Sequence, residues 1–325
     1  MKPVKEHIVK LDLTAKERWK FLPYYVTEIN TLVQYYLNDL AGSELLFENI
    51  KYLKHQLIPK DYLEEIDFIA SISRFDSDQI LIANLYYDIL KFYFGCTAFA
   101  TSVNDTVFHS RNLDWHTDNY ILSDYSMIFD FQRDGKTLFK TIGWPGFIGA
   151  LSGTKPEKFS VTLNAVLSYD KPEIATPISF LIRDVLEQSN SFEEAKLKLE
   201  SEVIISDCLL LLSGNKPHEM VVIERTPTRS AIRESENGFI VVTNDYKQLD
   251  NDSKEDSVLQ STSCGRFERA SLLITQKKPL NSSECFNILK DEHVMMDITV
   301  QQMVFNNKTG EINLIKSHGK NTNHI

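Results

Sequence analysis

Cys96, Arg111 and Asp114 are the residues whose types and spacing first suggest chemistry in this chain. An apolar run ends at Gly95, and Cys96 opens an alternating segment through Thr97, Phe99, Thr101 and Val103. A turn at Asn104-Asp105 leads into a second alternating segment, Val107 to Arg111. Alternation on both sides of a tight turn predicts a β-hairpin, whose outer ends meet. A thiol, a guanidinium and a carboxylate then become neighbours. A cysteine thiol is a poor nucleophile at neutral pH until positive charge or a base favours its thiolate. Cutting the Gly95–Cys96 bond supplies such a base on the same residue, because a new α-amino group has a reference pKa of about 7.7 to 8. Glycine before the cysteine suits a strained scissile peptide, since no Cβ restricts its backbone. On pattern alone, a buried inert cysteine is as good a reading of Cys96. Arg111 and Asp114 alone read as ordinary strand-end partners worth under about 1 kcal/mol.

The segment from Cys96 to Trp115 resembles the start of the catalytic subunit of N-terminal-nucleophile (Ntn) hydrolases of the acid ceramidase and N-acylethanolamine acid amidase type. These are relatives of the bile salt hydrolases and penicillin V acylases. The shared marks are a cysteine followed by Thr97 and the run Arg111-Asn112-Leu113-Asp114-Trp115, which fits R-N-x-D-[FW]. FDFQRDGKTLFK (129–140), GFIGALSGTKPEKFSVTLN (146–164), SFEEAKLKL (191–199) and VVTNDY (241–246) resemble acid ceramidase segments in the same order, so the likeness covers nearly the whole chain. The stretch between Cys96 and Arg111 is one residue shorter than is usual in that family, a shortening that falls most simply in the Val103–Thr106 turn.

The resemblance implies self-cleavage between Gly95 and Cys96, with Cys96 as nucleophile, Arg111 beside the thiol and Asp114 holding the α-amino group by a charge-assisted hydrogen bond. Asn244 in VVTNDY matches an oxyanion-hole asparagine, a kind of donor worth about 3 to 4 kcal/mol. Asn164 in VTLNAV matches a second position near that hole, where the backbone amide counts. Taken singly, either asparagine is more commonly a turn or strand-end residue. For the last position GRFERA offers Arg266 and Arg269. The R-F-x-R pattern of bile salt hydrolases favours Arg266, whereas acid ceramidases carry a double arginine after two aspartates. Cys208, in an apolar run, reads as core, and His109 reads as a strand-face residue rather than a general base.

These residues need elements to hold them. Thr14 to Glu17 has capping-box form, and Val26, Ile29, Val33, Tyr36 and Leu40 mark one helix face, stopped by Gly42. Leu46–Ile50–Leu53 and Tyr62–Ile66–Ile69 continue the helical spacing, and a last helix is predicted over about Ser77 to Phe94. Beyond Cys96 the pattern turns to strands. Asp134-Gly135 is a two-residue hairpin signal, and Gly146–Leu151 and Phe159–Val166 read as a strand pair. Helices follow, one capped at Thr176-Pro177 and one at Ser191. Strands return at Val203–Leu212, Glu219–Glu224 and Phe239–Thr243, helices at about Arg266–Thr275 and Ser283–Leu289, and a hairpin turns at Asn306–Gly310. Asp245 to Ser263 reads as one long loop. This order predicts an α+β fold of two packed antiparallel sheets with helices outside, in agreement with the Ntn-hydrolase αββα sandwich that the resemblance implies. Residues 1–95 would be a small helical propeptide or α-subunit, and 96–325 the catalytic domain or β-subunit. The bland reading of the aromatic-rich 1–95 region is helical core; the family reading is a subunit that shields the nucleophile and helps form a lipid-binding surface.

The 325 residues are 42% hydrophobic and carry a net charge of -10. That charge argues against nucleic acid, whose phosphates are bound by clustered Lys and Arg, and against generic adhesion to anionic lipid. MKPVKEHIVKLDL has no apolar core of signal-peptide length, and no window reaches the roughly 18 apolar residues of a membrane span. The expected location is cytoplasmic if the sequence is complete, and lysosomal or secreted if a leader was removed. Four scattered cysteines make no disulfide framework, and no CxxC or HxxxH spacing suggests zinc. No metal or organic cofactor is expected. The resemblance implies hydrolysis of fatty-acyl amides of ceramide or N-acylethanolamine type. The expected partners are a lipid-like N-acyl amide substrate, the protein's own cleaved N-terminal fragment and a transiently touched membrane surface. Only Ala165 to Ile174 stands where acid ceramidase has a long apolar stretch, so smaller amides stay open: bile salts, penicillin V or acyl-homoserine lactones. So does an unprocessed, non-catalytic lipid-binding protein.

Overall fold

Two β-sheets stack face to face in the computed structural model, which describes residues 3–41, 53–89, 94–250 and 258–320. The larger, eight-stranded sheet runs β1 (Lys5–Lys10), β4 (Met127–Arg133), β5 (Lys136–Gly143), β6 (Ser152–Lys155), β7 (Phe159–Asn164), β8 (Cys208–Ser213), β9 (Met220–Arg225) and β10 (Ser230–Glu234). The smaller, five-stranded sheet runs β11 (Phe239–Val242), β2 (Phe94–Val103), β3 (Thr106–Trp115), β12 (Thr299–Asn306) and β13 (Glu311–Lys316). Neighbouring strands are antiparallel except β1 and β4, which are parallel.

Side-chain alternation sorts the strands into layers. Ala98, Ala100 and Val107 of the smaller sheet meet Leu209, Leu211 and Val222 of the larger one. On its other face the smaller sheet packs Phe99, Phe108 and Val304 against helices Val258–Gln276 and Ser282–Leu289. The larger sheet's outer face is covered by helices Ile178–Gln188 and Phe192–Ser201 and by the N-terminal segment, whose Trp19 meets Phe129 edge-on at 5.5 Å. The architecture is therefore an α+β sandwich with helices outside two packed sheets.

The N-terminal segment is built into this core. Helix Val26–Asp39 buries Ile29, Leu32, Val33 and Tyr36, at the spacing that marks its apolar face. Glu65 of helix Lys60–Ile72 is fully buried against Arg183 of helix Ile178–Gln188, with both guanidinium nitrogens at 2.6–2.8 Å. Burial pushes the Glu65 carboxyl up, but the Arg183 and Arg18 charges outweigh it and hold it below the usual range.

Local signals and structure agree where the chemistry is local. Asn104 (φ 51°) turns β2 into β3, and Asp134 (φ 52°) with Gly135 (φ 73°) turns β4 into β5, the left-handed pair a two-residue hairpin requires. The Thr14–Glu17 capping box forms, and the Ser191 hydroxyl accepts from Glu194 N.

Long-range contacts produce the differences. The helix expected to reach Phe94 breaks at Leu85, resumes over Tyr86–Ile89, and Phe94 already lies in β2. Gly146–Leu151 is not a strand, because its backbone is bonded to side chains and a helix end: Gly146 O and Ile148 N to Asn84, Ile148 O to Arg183, and Ala150 N to Ser179 O. Pro177, not Thr176, is the cap residue of helix Ile178–Gln188, and Asp88 supplies the carboxylate, accepting from Ile178 N at 3.1 Å. Strand β8 starts at Cys208 rather than Val203, and β10 has no counterpart in the sequence reading. The expected loop ends early, since helix Val258–Gln276 begins within it. The Leu46–Ile50 part of one helical pattern, the Gly42 stop and residues 251–257 of that loop lie outside the described residues.

Candidate active site

Cys96 sits two residues into β2, paired with Leu113 of β3, and is 1% exposed. Cross-strand partners share a face, so Cys96 looks toward the larger sheet together with Arg111, which pairs with Ala98. Arg111 Nη2 lies 3.2 Å from the Cys96 Sγ. The guanidinium is steered there by neutral acceptors, Leu151 O at 2.9 Å, Leu163 O and the Ser152 hydroxyl, so its hydrogen-bond partners carry no compensating carboxylate. The thiol in turn faces Leu163 O at 3.8 Å.

The peptide on either side of Cys96 is gripped as closely as the thiol. Cys96 N donates to Asn244 Oδ1 at 3.1 Å, and Arg266 Nη1 donates to Cys96 O at 2.6 Å and to the Thr97 hydroxyl at 2.9 Å. Arg266 Nη2 completes the ring by donating to Asn244 Oδ1 at 2.7 Å. Asn244 Nδ2 donates to Ala165 O at 2.7 Å, and Asn244 N to the Ser263 hydroxyl at 2.9 Å. Asn164 Nδ2 donates to Thr243 O at 2.9 Å, bracing the residue before Asn244, and no described group bonds its buried Oδ1. Arg269 stands apart, paired at the surface with Asp291 at 2.6 Å. Of the two arginines in GRFERA, Arg266 is the one in contact with Cys96.

Asp114 takes a different face. It pairs with Gly95, so it lies across from the Gly95–Cys96 peptide but on the side of the smaller sheet that carries the helices, away from the thiol. Its Oδ1 accepts from the Thr299 hydroxyl at 2.5 Å, and its buried Oδ2 has no hydrogen-bond partner among the described residues. Burial pushes its carboxyl up, opposed by Arg266 and by the Thr299 bond. The hairpin thus puts Cys96 and Arg111 in contact and leaves Asp114 one peptide away.

The rest of the Arg111–Trp115 motif anchors the hairpin. Asn112 Nδ2 donates to Leu289 O at 2.8 Å and its Oδ1 accepts from Gln302. Trp115 stacks on Tyr36 and Tyr86 of the N-terminal segment at 5.8 and 5.5 Å. Burial drives the phenol of Tyr87 well up. His109 spans the sheets between the Ser213 and Thr162 hydroxyls, both at 2.8 Å, and burial followed by the Arg111 charge lowers it to about 3. Cys208 is core. Ser152, Ser263 and Thr299 join the site without a sequence signal: each comes from a different element and carries no motif.

An apolar cleft of about 400 Å³ runs between Leu57, Leu81, Leu85 and Ile89 of the N-terminal segment and Ile174 and Pro177 of the chain after Cys96, with Asp88 on its wall.

The model of the family described as acyl-coenzyme A:6-aminopenicillanic acid acyl-transferase matches residues 101–322. Acid ceramidase of Balaenoptera acutorostrata scammoni is 29% identical over 259 residues, 70% of this chain and 65% of that protein; acid ceramidase of Bos taurus gives the same figures. The chain thus spans just under two thirds of the length of these relatives. Among solved structures, the Caenorhabditis elegans N-acylethanolamine-hydrolyzing acid amidase ortholog superposes with a TM-score of 0.57 at 24% identity, covering 66% of this chain and 94% of that one, and so shares the fold.

Proposed function

This chain belongs to the acyl-coenzyme A:6-aminopenicillanic acid acyl-transferase family, and from that premise we propose that it is a self-cleaving amidohydrolase with Cys96 as its N-terminal nucleophile. The observation that carries the reading is the convergence on one residue: Arg111 on its sulfur, Asn244 on its nitrogen and Arg266 on its carbonyl.

In the uncut chain the Cys96 sulfur attacks the Gly95 carbonyl carbon. The C–N bond breaks, the thiol proton passes to the Cys96 nitrogen, and Gly95 becomes a thioester on Sγ. Water then hydrolyses the thioester to the Gly95 carboxylate and the free thiol. The products are residues 1–95 and a chain beginning at Cys96. The new α-amine is generated on Cys96, the residue after Gly95, which pairs with Asp114; the Asp114 Oδ2, without a hydrogen-bond partner among the described residues, is suited to receive its ammonium form.

Turnover follows the same logic. The α-amine takes the Cys96 proton, the thiolate attacks an amide carbonyl, and the protonated amine leaves a thioester that water, deprotonated by the α-amine, converts to the acid. In this reading the Asn244 amide supplies a donor to the oxyanion, with the Asn164 backbone amide beside it. The N-terminal fragment stays bound as a subunit, a reading supported by β1 within the sheet, by Glu65–Arg183 and by Asp88 at the helix terminus.

We assign fatty-acyl amides, of ceramide or N-acylethanolamine type, as substrates. The relatives' names support this; the apolar cleft has a volume within the usual range for a small-molecule site, but none of its lining residues belongs to the group around Cys96. Release of fatty acid from an N-acylethanolamine and a ceramide is to be compared with hydrolysis of a bile salt, penicillin V and an acyl-homoserine lactone, using processed protein and Cys96→Ala. The reading expects the fatty amides to be cleaved fastest, and by the wild type alone. Preference for any of the other three would overturn the substrate class.

A further inference from the structure

We infer that Glu224, outside the catalytic cage, is a positioning residue that sets Asn244 and Arg266 about Cys96; the inference rests on the reaction proposed above. Glu224 lies on β9 and is completely buried. Its carboxylate collects three consecutive backbone N–H groups, Lys247 at 2.9 and 3.1 Å, Gln248 at 2.8 Å and Leu249 at 3.0 Å. A carboxylate held by several backbone amides makes short, strong, charge-assisted bonds. It therefore fixes the chain three residues after Asn244. Tyr246 tightens the same stretch by donating its hydroxyl to Arg225 O, next to Glu224, at 2.6 Å.

The second arm runs to Arg266. Lys247 places its ammonium 4.8 Å above the ring of Phe267, the residue after Arg266. Arg233, whose Nε lies 4.0 Å from Glu224, approaches the same ring at 5.8 Å and donates from Nη2 to Val241 O at 2.7 Å, three residues before Asn244. Glu224 is thus bonded to the chain after Asn244, linked through Arg233 to the strand before it, and linked through Lys247 and Arg233 to the helix that carries Arg266. Asn244 and Arg266 share one contact, at Asn244 Oδ1, so a shift of either displaces the other.

Two variants and two readouts test this. Glu224→Gln keeps the shape and an acceptor but loses the charge; Lys247→Met keeps its N–H on Glu224 but removes the cation from Phe267. Positioning predicts a kcat lowered about 10- to 100-fold in Glu224→Gln with KM little changed, and a smaller loss in Lys247→Met, because misplacement costs the reaction more than binding. Amide hydrogen exchange should rise both around residues 241–246 and around 262–268. Wild-type kcat in Glu224→Gln, or faster exchange confined to 247–249, would overturn the inference and leave Glu224 a loop anchor. Should Glu224→Gln fail to fold, an unchanged kcat and unchanged exchange at 262–268 in Lys247→Met would overturn it. If the wild type hydrolyses no amide, the proposed function fails, while the exchange pattern still decides whether Glu224 couples the two segments.

Discussion

The Cys96 environment is defined by what Arg111 lacks. Its hydrogen bonds go to carbonyls, a hydroxyl and the thiol rather than to a carboxylate, so its charge is available to the sulfur. Arg111→Met should slow both self-cleavage and turnover, the latter on the order of 100-fold in kcat/KM, as for loss of one preorganised electrostatic contact; a change under about twofold would argue that the contact is merely structural. His109 makes a prediction about pH. Its pKa is lowered to about 3, so the folded chain stays unprotonated where the unfolded chain, near 6.5, takes a proton. Its contribution to stability is present above about pH 6.5 and is lost as pH falls toward 3. His109→Gln should therefore flatten the decline in urea-unfolding free energy across that window, and an unchanged slope would contradict the assignment. Cys96, Arg111 and Gly95 were legible because one hairpin carries them. Thr299, Ser263 and Ser152 were not, because a lone hydroxyl leaves no sequence mark until another strand or helix delivers it.

At the scale of elements, the buried Glu65–Arg183 pair joins a helix of the N-terminal segment to one of the catalytic part. Removing Glu65 strands Arg183 in the core, which costs about 3 to 5 kcal/mol, whereas removing Arg183 leaves Glu65 its second partner, Arg18. Glu65→Leu is expected to destabilise the chain by that order in chemical denaturation, and Glu65→Leu with Arg183→Met to recover part of it. A double variant as unstable as the sum of the singles would refute the coupling. The elements read best from sequence were those set by neighbours in the chain: the Asp134-Gly135 turn, the Thr14 box and the face of helix Val26–Asp39. Gly146–Leu151 alternates like a strand, yet its hydrogen-bonding groups are taken by Asn84, Arg183 and Ser179. The parallel pairing of β1 with β4 likewise depends on residues more than a hundred positions apart, which no local pattern encodes.

Across the whole molecule, the N-terminal segment and the chain after Cys96 share one hydrophobic core, and Trp115 of the Arg111–Trp115 run lies against Tyr36 and Tyr86. A cut at Gly95–Cys96 should therefore leave the two pieces together: they should co-elute in size-exclusion chromatography and separate only in denaturant. Fragments that part under native conditions would contradict the shared core. Cys96 is 1% exposed in the uncut chain, so activity is expected to depend on cleavage. The most direct measurement is the intact mass and N-terminal sequence of purified wild type and Cys96→Ala after incubation over a range of acidic to neutral pH. Two wild-type fragments, the larger beginning at Cys96, with the variant remaining whole, are the predicted result. A wild-type chain that stays uncut while hydrolysing amides, or a Cys96→Ala chain that is still cut at Gly95, would contradict it.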